Sequence, residues 1–87
     1  MKVFVVGDDG PEHNSVRAVH KTYRGAFNAW NSLRISLLET AQAFLEKQAD
    51  HRDLWSHAIL NLSCQDPEKI DNYPHETPYI KIYELED

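Results

Sequence analysis

Residues 23–47 read YRGAFNAWNSLRISLLETAQAFLEK, the longest stretch of the chain with apolar residues at helical spacing. With about 100° of rotation per residue, most of its large apolar side chains fall within about 60° of Trp30. Thr22 precedes the stretch directly and has a side chain suited to an N-cap. We therefore predict an amphipathic helix over residues 23–47. Its core-facing stripe consists of Tyr23, Ala26, Phe27, Trp30, Leu33, Leu37, Ala41, Phe44 and Leu45.

Arg34 is a cation near the middle of this apolar stripe. One interpretation is that its aliphatic stem packs on the core while the guanidinium reaches water at the edge. The other is a buried guanidinium that pairs with a carboxylate or a bound anion. We predict the first arrangement and keep Arg34 as a candidate binding residue.

Two strands are predicted before the helix. Residues 2–6 are almost continuously apolar, which is typical of a central strand covered on both faces. Residues 7–11 (GDDGP) carry a dense turn signal. Residues 15–22 then alternate, with Val16, Ala18 and His20 predicted on one face and Arg17, Val19 and Lys21 on the other.

After the long helix, a second helix is predicted to begin at residues 49–50, with Asp50 as its N-cap. Pro78 opens a last alternating strand over residues 79–85. The chain is therefore predicted to be one α+β domain over residues 1–87, in the order β-β-α-α-β. Short connections favour a three-stranded antiparallel sheet of order 2-1-3 with both helices packed on one face.

The predicted core brings both helices onto the sheet. It consists of Trp30, Leu37, Phe44, Leu54, Trp55 and Ile59, packed against Val3, Val5, Ile80 and Ile82. Because Trp30 and Phe44 are both placed in this core, replacing either by alanine is expected to cost about 3–5 kcal/mol.

The element order, the opening Met-Lys-Val and the final strand followed by acids resemble the small β-β-α-β proteins of bacteriophages and mobile elements. The resemblance covers most of the chain but includes no functional motif, so it implies no site residues. It implies an accessory protein or an inhibitor of a host enzyme or defence complex.

The composition argues against an enzyme and against a metal site. Cys64 is the single cysteine, which excludes an intramolecular disulfide. His51 and His57 differ by about 120° around a helix and do not face one metal ion. With three glycines in the chain, no phosphate-binding loop motif is present. We expect no catalytic residue, no metal and no cofactor.

The remaining signals indicate a cytoplasmic protein that acts through its surface. The first apolar run is too short for a signal peptide, and no stretch has the roughly 20 apolar residues that span a bilayer. The net charge is −5, with five basic and three acidic residues in 1–34 and four basic and eleven acidic residues in 35–87. This uneven charge suits docking onto a charged partner.

The leading hypothesis is a non-catalytic protein that occupies a protein partner, either a host protein or a second copy of the chain. Interleaved aromatic and basic residues on the open sheet face are typical of protein interfaces. They are also typical of platforms for a nucleotide or single-stranded nucleic acid, which is the alternative. A competing surface is the acidic side of the helices around Glu39, Glu46 and Asp53. The candidate binding residues are Arg17, Lys21, Arg34, Tyr79, Lys81 and Tyr83.

Overall fold

The computed structural model describes residues 1–9, 14–47, 49–70 and 77–85. It confirms the α+β class and the predicted order of the elements. No helix among these residues is long and apolar enough to cross a membrane. The elements are β1 (Lys2–Asp9), β2 (Asn14–His20), α1 (Tyr23–Lys47), a 3-10 turn (Ala49–His51), α2 (Arg52–Leu62) and β3 (Thr77–Glu84).

The sheet has the order β2-β1-β3, and β1 pairs with both neighbours in the antiparallel sense. The predicted turn at residues 7–9 is wrong, because β1 continues through Asp9. Gly7 lies opposite Val16 of β2 and Tyr79 of β3, so this segment is held in the ladder on both sides. Pairing along both edges outweighs the local turn preference of a Gly-Asp-Asp sequence.

Strand β2 ends at His20, two residues earlier than predicted, and contains an irregularity at Arg17. Ala18 lies opposite Val6 and Val16 lies opposite Gly7, so Arg17 is the extra residue of a β-bulge. Directly opposed residues of an antiparallel ladder share a face. The bulge therefore turns Val16 to the face of Gly7, and the predicted grouping of Val16 with Ala18 is wrong.

The first core cluster lies between α1 and one face of the sheet. Val6, Ala26 and Trp30 are fully buried there, and Phe4 and Ile80 are among the residues that pack around them. The predicted strand contribution was Val3, Val5, Ile80 and Ile82, and it is confirmed for Ile80. It is wrong for the valines because alternation directs the even-numbered residues of β1 to the helix. Ile82 is 59% exposed.

The second core cluster joins the C-terminal half of α1 to α2. Ala41, Ala58 and Leu62 are buried, and Trp55 and Ile59 are among the residues packed against them. No strand residue belongs to this cluster within the described part of the chain, so the predicted packing of Trp55 and Ile59 on the strands is wrong. Helix α2 packs mainly on α1, and α1 in turn packs on the sheet.

The distal end of the two-helix hairpin carries an aromatic stack. Phe44 of α1 and Trp55 of α2 lie with their ring centroids 4.8 Å apart and their planes 14° apart. Phe44 remains 36% exposed. Asp50 is not the N-cap of α2, because residues 49–51 form a 3-10 turn and the helix is entered through His51, which makes no side-chain capping bond.

The start of α1 is as predicted. The Gly25 backbone N–H donates to Thr22 Oγ1 at 3.1 Å, which makes Thr22 the N-cap. Gly25 is tightly packed and does not adopt an unusual backbone angle. A Cβ at this position would lie 3.0 Å from Nδ1 of His20, so the absent side chain lets the end of β2 lie against the first turn.

Trp30 and Phe44, for which the sequence predicts equal losses of stability on substitution by alanine, differ in burial. Trp30→Ala is expected to cost about 3–5 kcal/mol of unfolding free energy, because the whole indole is buried. Phe44→Ala is expected to cost about 1–2 kcal/mol, because a third of its surface remains in water and its main contact is one ring. Urea denaturation of both variants measures the difference.

Trp30→Phe serves as the control for this comparison. It keeps an aromatic ring in the cluster and removes an indole N–H that has no hydrogen-bond partner among the described residues. Its loss of stability should be well below that of Trp30→Ala. Equal losses for Trp30→Ala and Phe44→Ala would contradict the assignment of Trp30 to the principal core.

Candidate interaction surface

One face of the sheet is not covered by either helix. Helix α1 packs on the side of Phe4 and Val6, and α2 packs on α1, so the odd-numbered residues of β1 lie on the free side. The register places Tyr83, Lys81 and Tyr79 of β3 directly opposite Val3, Val5 and Gly7. We call this surface the open face; its side chains are those of Val3, Val5, Val16, Val19, Tyr79, Lys81 and Tyr83.

The open face is apolar and aromatic. Val16 is 62% exposed, Val19 59% and Tyr83 51%, while Val3 and Val5 of the central strand are half-buried. Lys81 is its single described cation, and Nζ lies 4.5 Å from the ring centroid of Tyr79. At this distance the ammonium and the ring attract each other. The face therefore offers hydrophobic area and tyrosine rings with little charge.

Arg17 makes a specific contact on its own sheet. Its Nε and Nη2 donate to the two carboxylate oxygens of Asp8 at 2.9 Å and 3.2 Å. The Asp8 side chain is completely buried, whereas that of Arg17 is 57% exposed. Two parallel N–H···O bonds are the strongest form of this pair. Arg17 therefore compensates a buried carboxylate that the sequence analysis had placed in a turn.

Lys21 lies outside β2, in the exposed bend of two residues that leads into α1. Of the six candidate binding residues, the structure thus brings Tyr79, Lys81 and Tyr83 together on the open face. Val3, Val5 and Val16 also belong to this face, and they were not predicted from the sequence. The signal for Val3 and Val5 was the continuous apolar run of β1, from which a strand buried on both faces was predicted.

Arg34 lies inside the molecule and is only 6% exposed, so the predicted snorkelling is wrong. Nη1 donates to the backbone carbonyl of Leu62 at 2.8 Å, and Nε and Nη2 donate to Oδ1 of Asn31 at 3.1 Å and 2.8 Å. The guanidinium carbon lies 5.9 Å from the Trp30 ring centroid. Arg34 thus places a positive charge at the C-terminal end of α2, where unpaired carbonyls concentrate negative charge.

The other candidate groups are scattered. No three His, Cys, Asp or Glu side chains of the described residues are grouped so as to hold a metal ion. Cys64 is half-buried, and its Sγ lies 3.7 Å from the carbonyl oxygen of Asp66. Glu39, Glu46 and Asp53 are exposed on the helices. His75, like the acids Asp71 and Glu76, lies outside the described residues.

Comparison of the chain with models of protein families, with curated proteins and with solved structures finds no match. Function is therefore inferred from the chemistry and geometry of the open face and of the acidic side of the helices.

Arg17→Ala removes the two bonds to Asp8 and leaves less compensation for a buried carboxylate. We expect it to lower the unfolding free energy by about 2 kcal/mol, less than for a fully buried pair because Arg17 is half in water. Chemical denaturation measures the loss. Lys21→Ala removes an exposed cation four residues away and should change stability by less than about 0.5 kcal/mol. Equal effects would mean that the Asp8 pair contributes nothing to stability.

Arg34→Met keeps a long apolar stem in the joint between the helices and removes the guanidinium. We expect a loss of about 1–3 kcal/mol, because the Leu62 carbonyl is left buried without its donor. Arg24→Met makes the same substitution at an exposed position of α1 and should be nearly neutral. A stabilised Arg34→Met variant would show that the desolvation of the guanidinium costs more free energy than its hydrogen bonds contribute.

Proposed function

We propose that the chain is a non-catalytic protein-binding domain and that the open face is its working surface. The observation that carries the proposal is the composition of that face: Val16, Val19 and Tyr83 are exposed, Tyr79 is half-buried beside them, and Lys81 is the one cation among the described residues. Tyrosine is enriched at protein interfaces because it supplies a large contact area with few rotatable bonds. The partner that this chemistry fits is a protein with an apolar patch.

The positions of the basic residues argue against the nucleic-acid alternative. Binding to the phosphates of a single strand requires a row of cations beside the stacking rings. Arg17 is paired with Asp8, Arg34 is buried at the end of α2, and Lys21 lies in a bend outside the strand. Among the residues that the structure describes, Lys81 alone remains beside the tyrosines, on a chain whose net charge is −5.

The acidic side of the helices is the weaker protein-binding candidate. Its carboxylates Glu39, Glu46 and Asp53 are solvated, and isolated surface charges contribute little binding energy. The open face, in contrast, combines apolar area with aromatic anchors. The resemblance to small bacteriophage proteins extends the proposal to an accessory protein or an inhibitor of a host enzyme or defence complex.

The test compares surface variants in affinity capture from a bacterial host lysate. The double variant Tyr79→Ser, Tyr83→Ser removes both rings from the open face and should lose the dominant captured protein that the unmodified chain retains. The triple variant Glu39→Lys, Glu46→Lys, Asp53→Lys reverses the acidic surface and should retain that protein. Circular dichroism and thermal melting establish that each variant is folded.

A second measurement addresses the nucleic-acid alternative directly. A fluorescently labelled single-stranded oligothymidine should show no binding to the chain at physiological salt. The proposal is overturned if the oligonucleotide binds with an affinity that falls steeply with salt. It is also overturned if the acidic variant loses the captured protein while the tyrosine variant keeps it.

A further inference from the structure

The outer edge of β3 exposes backbone groups that can pair with another strand. The Leu85 N–H donates to the Met1 carbonyl at 2.7 Å, and the Met1 nitrogen donates back to the Leu85 carbonyl at 3.4 Å. Such reciprocal pairs recur at every second residue of an antiparallel ladder. Tyr83, Lys81 and Tyr79 therefore direct their N–H and C=O groups toward β1. Ile80, Ile82 and Glu84 direct theirs outward.

The two edges of the sheet differ in their ability to accept a further strand. Edge strand β2 is interrupted by the bulge at Arg17, a common device that prevents edge-to-edge pairing. Strand β3 keeps an unbroken register with β1 over its whole length, and residues 81–84 are exposed. Among the described strands, β3 is thus the regular free edge.

The chain also has more surface than a compact monomer of its size. Its accessible area is 6092 Å², against about 5,300 Å² expected for a folded monomer of this mass. The excess of about 800 Å² accompanies the elongated shape of the chain and leaves room for an interface of standard size, which takes about 800 Å² from each partner. The radius of gyration is 14.0 Å, against about 12 Å for a compact chain of this length.

The sequence of β3 favours self-pairing centred on Ile82 over self-pairing centred on Lys81. If the two-fold axis passes through Lys81, the two ammonium groups lie directly opposite each other, which is unfavourable. If it passes through Ile82, the two isoleucines meet and Lys81 lies opposite Tyr83 of the other copy. The second register also pairs the outward N–H and C=O groups of Ile80 with those of Glu84.

We propose that the chain forms a homodimer by antiparallel pairing of two β3 strands, centred on Ile82. The product is a continuous six-stranded sheet of order β2-β1-β3-β3-β1-β2. The two-fold axis of an antiparallel strand pair is perpendicular to the sheet, so both open faces lie on the same side. Their tyrosines and lysines meet at the centre of one wide surface. The dimer depends on the edge and not on the function proposed for the open face.

The first test measures the mass of the free protein by sedimentation equilibrium. The unmodified chain should approach twice its 10.1 kDa as concentration rises. Ile82→Lys places two cations at the two-fold axis, leaves the open face unchanged, and should remain a folded monomer at every concentration, as circular dichroism and sedimentation show. Val19→Lys is the matched control, since Val19 is also 59% exposed but lies on the β2 edge, and it should still dimerise.

Hydrogen exchange of the unmodified chain tests the same pairing without a mutation. The amides of Ile80 and Ile82 should exchange slowly at high concentration and become fast on dilution, while those of Lys81 and Tyr83 stay protected throughout. A mass of 10.1 kDa at every concentration overturns the proposal. So does a dimer that survives Ile82→Lys or that is abolished by Val19→Lys. Loss of the dimer with partner capture intact leaves the proposed function standing.

Discussion

The antiparallel pairing of β1 along both of its edges is the constraint on which the rest of the structure depends. Because β1 is central, its alternate side chains must serve two different surfaces. Phe4 and Val6 pack under α1, while Val3 and Val5 form the middle of the open face. The same ladder extends through Asp8 and buries its carboxylate, which is compensated by the guanidinium supplied at the β2 bulge. One pairing pattern thus produces the core, the free face and the irregular edge.

The length of α1 determines the remaining architecture. A helix of 25 residues is about 37 Å long, whereas a strand of 8 residues spans about 27 Å. The C-terminal half of α1 therefore needs another partner for its apolar stripe, and α2 provides it. Arg34 lies where the two cores meet, with its guanidinium carbon over the Trp30 ring and with a hydrogen bond to the carbonyl of Leu62, the last residue of α2. The result is an elongated molecule of 52 × 23 × 19 Å with a large surface for its mass.

Strand β3 contributes to the open face and also forms an outer edge of the sheet. Tyr79 and Tyr83 belong to the face through their side chains, and the residues between and beside them present free backbone groups at the edge. Pairing of two edges would bring two modest apolar faces together into a surface twice as wide. A surface of this kind would offer a symmetric or extended partner two equivalent sets of contacts, and two linked sets of contacts bind more strongly than one.

Local sequence determined the elements of this protein. It predicted the bounds and the N-cap of α1 and the strands at the two ends of the chain. The short connections between these elements predicted the strand order. These features depend on side-chain periodicity and on bonds between near neighbours, such as that from Gly25 to Thr22. The tyrosines of the open face were predictable for the same reason. Only the tertiary structure decided that residues 7–9 continue a strand, that Arg17 faces a buried carboxylate, and that Arg34 is internal. Each of these outcomes depends on a partner distant in the chain, whose hydrogen bonds and burial outweigh local preference and leave no periodic trace in the sequence.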